Sequence, residues 1–290
     1  MAVNRSSLLS LTKWARNHRD QMLTWNRKRT IGLSLILAGV SLLFFYIPIL
    51  PVDGDLPFNQ ILQYCLITIF AFSVAKFFKV PTLQYLNWPV QRWQTYFGIG
   101  MSLTLIFGLS VQDEDQSLTA TPLITGILYI FVIGIGEEFV DRLLVLGLLL
   151  RFGAKFAVIV SSFIFGLSHL NVYVYDWGTW DAITHVFSAF GVGLFLAALM
   201  VVTKSIWVSV IVHALIDWSV IFETIDTEIL EPYSPGILEG ISWCLFDFTF
   251  PYGFCAYLLY LAHRGKWPRL ILRLVARIRR LSVPRFKIKR

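Results

Sequence analysis

Gly136-Glu137-Glu138-Phe139-Val140-Asp141-Arg142 is the stretch that decides how this chain reads. The run from Pro122 to Ile135 before it is lipid-soluble, and so is Leu143 to Leu150 after it. Four ionisable side chains therefore fall in the middle of a membrane-type helix. One such side chain at bilayer depth costs about 2.5–3.5 kcal/mol on insertion scales, so a chain that carries four of them together is using them. On a helix Glu138 and Arg142 are four apart, share a face and can pair. Glu137 and Asp141 are also four apart, on a neighbouring face, where two like charges resist being ionised together. One carboxylate is then balanced by Arg142 and another stands in an apolar, proton-hungry setting. The second kind is what a general base is made from.

The rest of the chain agrees with a membrane setting. Its 290 residues are 56% hydrophobic and 16% aromatic, with a mean hydropathy of +0.66. Soluble domains average about 45–50% apolar residues, and here the excess lies in long runs. The fold class expected is all-α, a polytopic membrane protein of about eight transmembrane helices enclosing a buried polar pocket. The spans are near 31–50, 61–78, 96–111, 122–150, 156–170, 182–202, 205–222 and 237–261. The fourth is longer than one straight crossing needs, so it is tilted, broken or extended beyond the bilayer. The first is too long for the apolar core of a cleaved leader. Five regions follow: a basic N-terminal segment (1–30), helices 1–3 (31–121), a core of helices 4–7 (122–222), an acidic loop with helix 8 (223–262), and a basic amphipathic tail (263–290).

The net charge of +7 is not a nucleic-acid signal, because the basic residues flank apolar spans. Intervals 51–60, 112–121, 171–181 and 223–236 hold no Lys or Arg. All basic residues except Arg142 then fall on the opposite side or at its edge, which makes both termini cytoplasmic. In a bacterium the membrane would be the plasma membrane. Trp88, Trp93 and Tyr96, and later Tyr173, Tyr175, Trp177 and Trp180, resemble interfacial aromatic belts. Cys65, Cys244 and Cys255 all fall in apolar runs, an odd count that argues for free thiols.

Two more spans carry polar residues. The fifth has Phe165-Gly-Leu-Ser-His169, where the ring four residues before the imidazole can pack over it. The seventh has His213-Ala-Leu-Ile-Asp217, where the carboxylate can bond one ring nitrogen and fix the tautomer. A lone membrane histidine usually marks a helix–helix hydrogen bond. At 1.5 Å per residue from the cytoplasmic helix ends, Glu137 and His169 lie about 20 Å deep and His213 about 12 Å. Similar depths on three helices suit one shared pocket. Asp181 and His185, four apart at the outer edge of the sixth span, read as a local pair. Asp247, before Pro251, can serve a kinked backbone or meet Arg142.

The ordered set Glu137-Glu138-x-x-x-Arg142, Phe165-x-x-x-His169 and His213-x-x-x-Asp217, on three apolar spans, resembles the CPBP family. These are the CAAX-protease and bacteriocin-processing proteins, also called Abi, and they include the type II CAAX prenyl endopeptidases. The resemblance covers about residues 122–222. It implies an eight-helix intramembrane protease whose buried site opens to the cytosol. Glu137 and His169 would activate a water, and His213 with Asp217 would stabilise the oxyanion. Glu138, Arg142 and Phe165 would support them. The family's third motif often ends in Asn. An ionised Asp217 can only accept, so it would orient His213 and leave His213 as donor; a protonated one could itself donate.

This chemistry needs no cofactor. The alternative is zinc on Glu137, His169 and His213, a His₂Glu set with an open fourth position. The partners expected are membrane lipids and a membrane-associated protein or peptide substrate, with no nucleic acid. Two rivals to a protease are a non-catalytic membrane scaffold or immunity protein, and a proton- or cation-coupled transporter. The intact Glu137, His169 and His213 argue against the first, and the lack of an internal repeat argues against the second.

Overall fold

The structure, a computed structural model, describes residues 25–44, 58–88, 92–109, 120–170, 179–217, 236–263 and 273. Among these residues there are helices and turns and no strand. Every apolar run expected to cross a membrane contains a helix. They are α1 (Arg27–Leu43), α2 (Phe58–Phe78), α3 (Arg92–Leu109), α4 (Ala120–Glu138), α5 (Ala154–Ser168), α6 (Thr179–Thr203), α7 (Ile206–Ile216) and α8, which begins at Ile237–Ser242 and resumes over Phe250–His263. The acidic intervals, most of the basic N-terminal segment and nearly all of the basic tail lie outside the described residues, as do the side chains of Trp93, Asp181 and Asp247.

Among the described residues, three helical stretches are long and apolar enough to cross a membrane: Asn59–Phe78, Ala182–Thr203 and Ile237–Leu261. They differ in what they bury. In α6 72% of the apolar window is inside the protein, against 33% in α2 and 25% in α8. The middle helix is thus packed by protein on most sides, with α5 and α8 along it. The outer two present bare apolar faces. Ile36, Ile69, Ile124, Phe163 and Phe246 are each more than half exposed. Apolar surface on that scale, spread over five helices, is what a lipid-facing protein shows and a soluble monomer avoids. Trp88 and Tyr96 are exposed too, as an interfacial belt requires.

The long fourth run is broken in geometry rather than in direction. Past Glu138 the chain widens into a π-helix over Phe139–Leu146, then tightens through Gly147–Leu149 and Leu150–Phe152. Gly153, at φ +100°, ends it in a conformation only glycine takes freely. A π turn disrupts the regular carbonyl ladder, and such turns occur mostly at functional sites. Here a short 3₁₀ turn, Pro81–Leu86, lies against the widened segment, and the Thr82 hydroxyl donates to the Leu143 carbonyl. The widened segment is the buried centre of the fold. Leu143, Leu144, Val145, Leu146 and Leu149 have no exposed surface, packed among Ala71 and Ala75 of α2 and Ala157 of α5.

Helix α7 lies close against α4 because Gly134 has no side chain. A Cβ there would come within 3.2 Å of the Val210 carbonyl oxygen. Small residues at such crossings are the usual way helices approach in lipid. The consequence is that His213, three residues past Val210, reaches the two glutamates at the end of α4.

Candidate active site

The polar side chains of the site come from α4, the π segment after it, α5 and α7, and meet at the level where α4 turns into the π segment. Glu138, Arg142 and His213 form its sealed part. The Glu138 and Arg142 side chains are fully buried, with Arg142 Nε 3.4 Å from Glu138 Oε2, so the four-residue spacing does produce the pair. The guanidinium lies over the Phe165 ring, 4.6 Å from its centroid. Cation–π contact of this kind is strongest where water is absent. The other oxygen of Glu138 accepts from His213 Nδ1 at 2.9 Å. One carboxylate thus holds a guanidinium with one oxygen and an imidazole with the other.

Fixing the His213 tautomer therefore falls to Glu138 and not to Asp217. Asp217 Oδ2 stands 3.5 Å from the other ring nitrogen, Nε2, and Glu137 Oε2 is 3.6 Å from the same atom. The spacing correctly placed Asp217 beside His213, but an in-helix partner four residues away lost the shorter bond to a carboxylate from α4.

Glu137 and Asp217 are the open carboxylates. Their side chains keep 22% and 21% of their surface, while Glu138 keeps none. Glu137 is thus the partly exposed member of the pair and Glu138 the sealed one. Asp141 is buried and forms no ion pair among the described residues.

His169 stands at the end of α5. Its Nδ1 lies 2.8 Å from the Phe165 carbonyl oxygen. A carbonyl only accepts, so Nδ1 carries the proton and Nε2 keeps its lone pair. The Phe165 ring packs on this imidazole as the sequence suggested, with centroids 4.6 Å apart at 69°. The same ring meets His213 edge-on at 6.0 Å. Phe165 is therefore the shared wall between both histidines and Arg142. Among the described residues His169 makes no hydrogen bond or ion pair with Glu137; the two are brought to one site through Phe165 and His213.

One residue of the site, Tyr64, was not singled out from the sequence, and another, His185, was read only as the local partner of Asp181. The Tyr64 hydroxyl, from α2, donates to Glu137 Oε1 at 3.1 Å. His185, from α6, lies with its ring 5.1 Å from that of His169. Tyr64 sits in no spacing that marks it; the weak signal was a hydroxylated ring inside a run expected to face lipid. The four-residue spacing of His185 pointed to Asp181, whose side chain lies outside the described residues.

Among the described residues no three His, Cys, Asp or Glu side chains are grouped to hold a metal ion. Of the set Glu137, His169 and His213, both imidazoles meet the Phe165 ring and Glu137 stands 3.6 Å from His213. The three cysteines are free, with Cys244 buried, Cys255 half-buried and Cys65 exposed on α2 rather than in the core. A groove of about 270 Å³ lies between α3 and α7, lined by Tyr96, Ile99, Leu103, Ile211 and Leu215 among others. It offers no carboxylate or imidazole and lies apart from the chemistry.

The arrangement can hold a water at an open carboxylate, accept its proton, and present an imidazole nitrogen to a developing negative charge. No curated protein and no solved structure matches the chain. Residues 119–219, which carry all three motifs, match the family model of the type II CAAX prenyl endopeptidase, Rce1-like, so the likeness read from the motifs is borne out over that part of the chain.

Proposed function

We propose that this chain is an intramembrane endopeptidase that hydrolyses a peptide bond of a membrane-associated protein or peptide, with Glu137 as the base. The observation that carries the reading is the contrast between two adjacent glutamates. Glu138 is sealed and spent on Arg142 and His213, whereas Glu137 is partly open beside an imidazole. The family match over residues 119–219 supports the reaction class.

In this reading a water is held between Glu137 and the lone pair of His169 Nε2. As its oxygen bonds to the scissile carbonyl carbon, its proton passes to Glu137. The carbonyl oxygen becomes an oxyanion and is met by the Nε2–H of a doubly protonated His213, whose Nδ1–H is held by Glu138, with Asp217 alongside. Collapse breaks the carbon–nitrogen bond, and the proton is returned to the leaving amine. The products are a carboxylic acid and an amine, so atoms and charge balance with water as the co-reactant. The chain crosses the membrane eight times with both termini in the cytoplasm, which fits the absence of Lys and Arg from alternate connections. The site then opens toward the cytosolic side, where a lipid-anchored C-terminus could enter.

The test is cleavage of a panel of membrane-tethered peptides, farnesylated C-terminal peptides among them, by wild type and Glu137→Ala, each with and without a strong chelator. Cleavage by wild type alone, unaffected by chelator, is the expected result. Activity lost to chelator and restored by zinc would convert the reading to a metalloprotease using the same side chains. An active Glu137→Ala protein would overturn the role of Glu137.

A further inference from the structure

We propose that Tyr64 is a positioning residue for the reaction, holding the Glu137 carboxylate in the one orientation that faces the histidines. The inference rests on the protease reading and adds to it a residue that lies well before the matched segment of the chain.

The geometry is that of a carboxylate held at one oxygen and left open at the other. Tyr64 donates to Oε1 at 3.1 Å, and Oε2 faces His213 Nε2 at 3.6 Å. A glutamate side chain has three rotatable bonds, and freezing them costs free energy that a catalytic step must otherwise find. With Oε1 tied to α2, only Oε2 is left for a proton transfer, and it points at the site. Without that bond the carboxylate can rotate about its last torsion and offer either oxygen in any plane.

A second feature shows that the backbone is shaped around this ring. Gly136, directly before Glu137, faces Tyr64; a Cβ at Gly136 would lie 2.6 Å from Tyr64 Cδ1 and 3.4 Å from its Cβ and Cγ. No real side chain tolerates 2.6 Å. The ring is 8% exposed and lies against the α4 backbone at Gly136, which brings its hydroxyl beside Glu137. Gly136 is the residue whose missing side chain admits Tyr64, and Tyr64 is the residue that then fixes Glu137.

The test uses the full chain and the peptide of the panel that wild type cuts. Y64F keeps the ring and removes only the hydroxyl. It should lower kcat about tenfold, the size of one lost hydrogen bond to a charged group, with KM and the thermal midpoint unchanged. G136A should lower kcat by a similar factor by pushing the ring away. The double variant should be no slower than the slower single, because both act through the same bond. Full kcat in Y64F would overturn the proposal. So would losses that multiply in the double variant, since Gly136 would then act through packing alone. The bond can also be read without a substrate. The infrared difference between wild type and Y64F should contain a glutamate carboxyl band that vanishes when both carry E137Q. If no peptide is cut but that band is present, the protease reading fails and the tie between Tyr64 and Glu137 stands; if E137A is inactive and the band is absent, only the tie fails.

Discussion

Glu138 holds His213 Nδ1 at 2.9 Å with one carboxylate oxygen and stands 3.4 Å from Arg142 Nε with the other. That double duty makes the second glutamate of the pair a structural centre, while the first is left for chemistry. The two should therefore separate cleanly on substitution. Glu138→Ala leaves Arg142 buried with no counter-charge and His213 with a free rotor. Breaking a buried ion pair from one side costs about 3–5 kcal/mol, so its thermal midpoint in detergent should fall well below wild type, and activity with it. Glu137→Gln, at a partly exposed position, should keep the midpoint and lose about 10²–10⁴-fold in kcat, the range of a lost general base. Equal midpoints for the two variants would contradict the division.

Asp217 gives a sharper test of the oxyanion side. The His213 tautomer is set by Glu138, so Asp217 is not needed for it. Asp217→Asn keeps the shape and supplies an amide donor near Nε2, where the carboxylate stands 3.5 Å away. Its kcat should stay within roughly threefold of wild type, whereas Asp217→Ala should lose about tenfold, one polar contact's worth. If Asn were as damaging as Ala, the negative charge itself would be required.

Phe165 is the wall shared by Arg142, His169 and His213. Its carbonyl fixes the His169 tautomer, and that bond survives any side-chain change. Phe165→Leu should therefore keep the tautomer while removing the ring beneath the guanidinium. We expect a stability loss of about 1–3 kcal/mol, from lost packing and cation–π contact together. KM should change less than kcat, because the ring orients the histidines rather than the substrate. Paired denaturation and rate measurements check this; a stable variant with a raised KM would make Phe165 a substrate contact.

The motifs on α4, α5 and α7 were legible because ionisable residues are rare in apolar runs and each motif has its four-residue spacing. Helix positions were legible for the same reason: the apolar runs carry the pattern of the fold. What was not legible depends on distances between helices. The partner of His213 Nδ1 lies 75 residues back in the chain, and the in-helix neighbour Asp217 looked the better candidate. Tyr64 and His185 are single polar-tipped rings in apolar runs, where a core or interfacial role is the ordinary reading. The π geometry after Glu138 has no local signature either. Within it the Leu143 carbonyl accepts from Thr82, more than sixty residues away in sequence.

That last contact carries its own prediction. The π segment packs Glu138, Asp141 and Arg142 into the interior, so its stability decides whether the sealed pair forms at all. Thr82→Val preserves the shape of the side chain and deletes the hydroxyl that the Leu143 carbonyl accepts from. Thr82 has no exposed surface, so no water takes over the bond. Leaving a buried carbonyl unpaired costs about 1–3 kcal/mol. The segment can recover the bond by tightening toward an α-helix, which would shift the Arg142 guanidinium relative to the Phe165 ring. The variant should thus lose stability and also lose activity beyond what its midpoint explains at the assay temperature. Hydrogen exchange of the Leu143–Leu146 amides should rise with it. Full activity and unchanged exchange in Thr82→Val would show that the π segment is held by packing alone, with the hydroxyl contributing nothing.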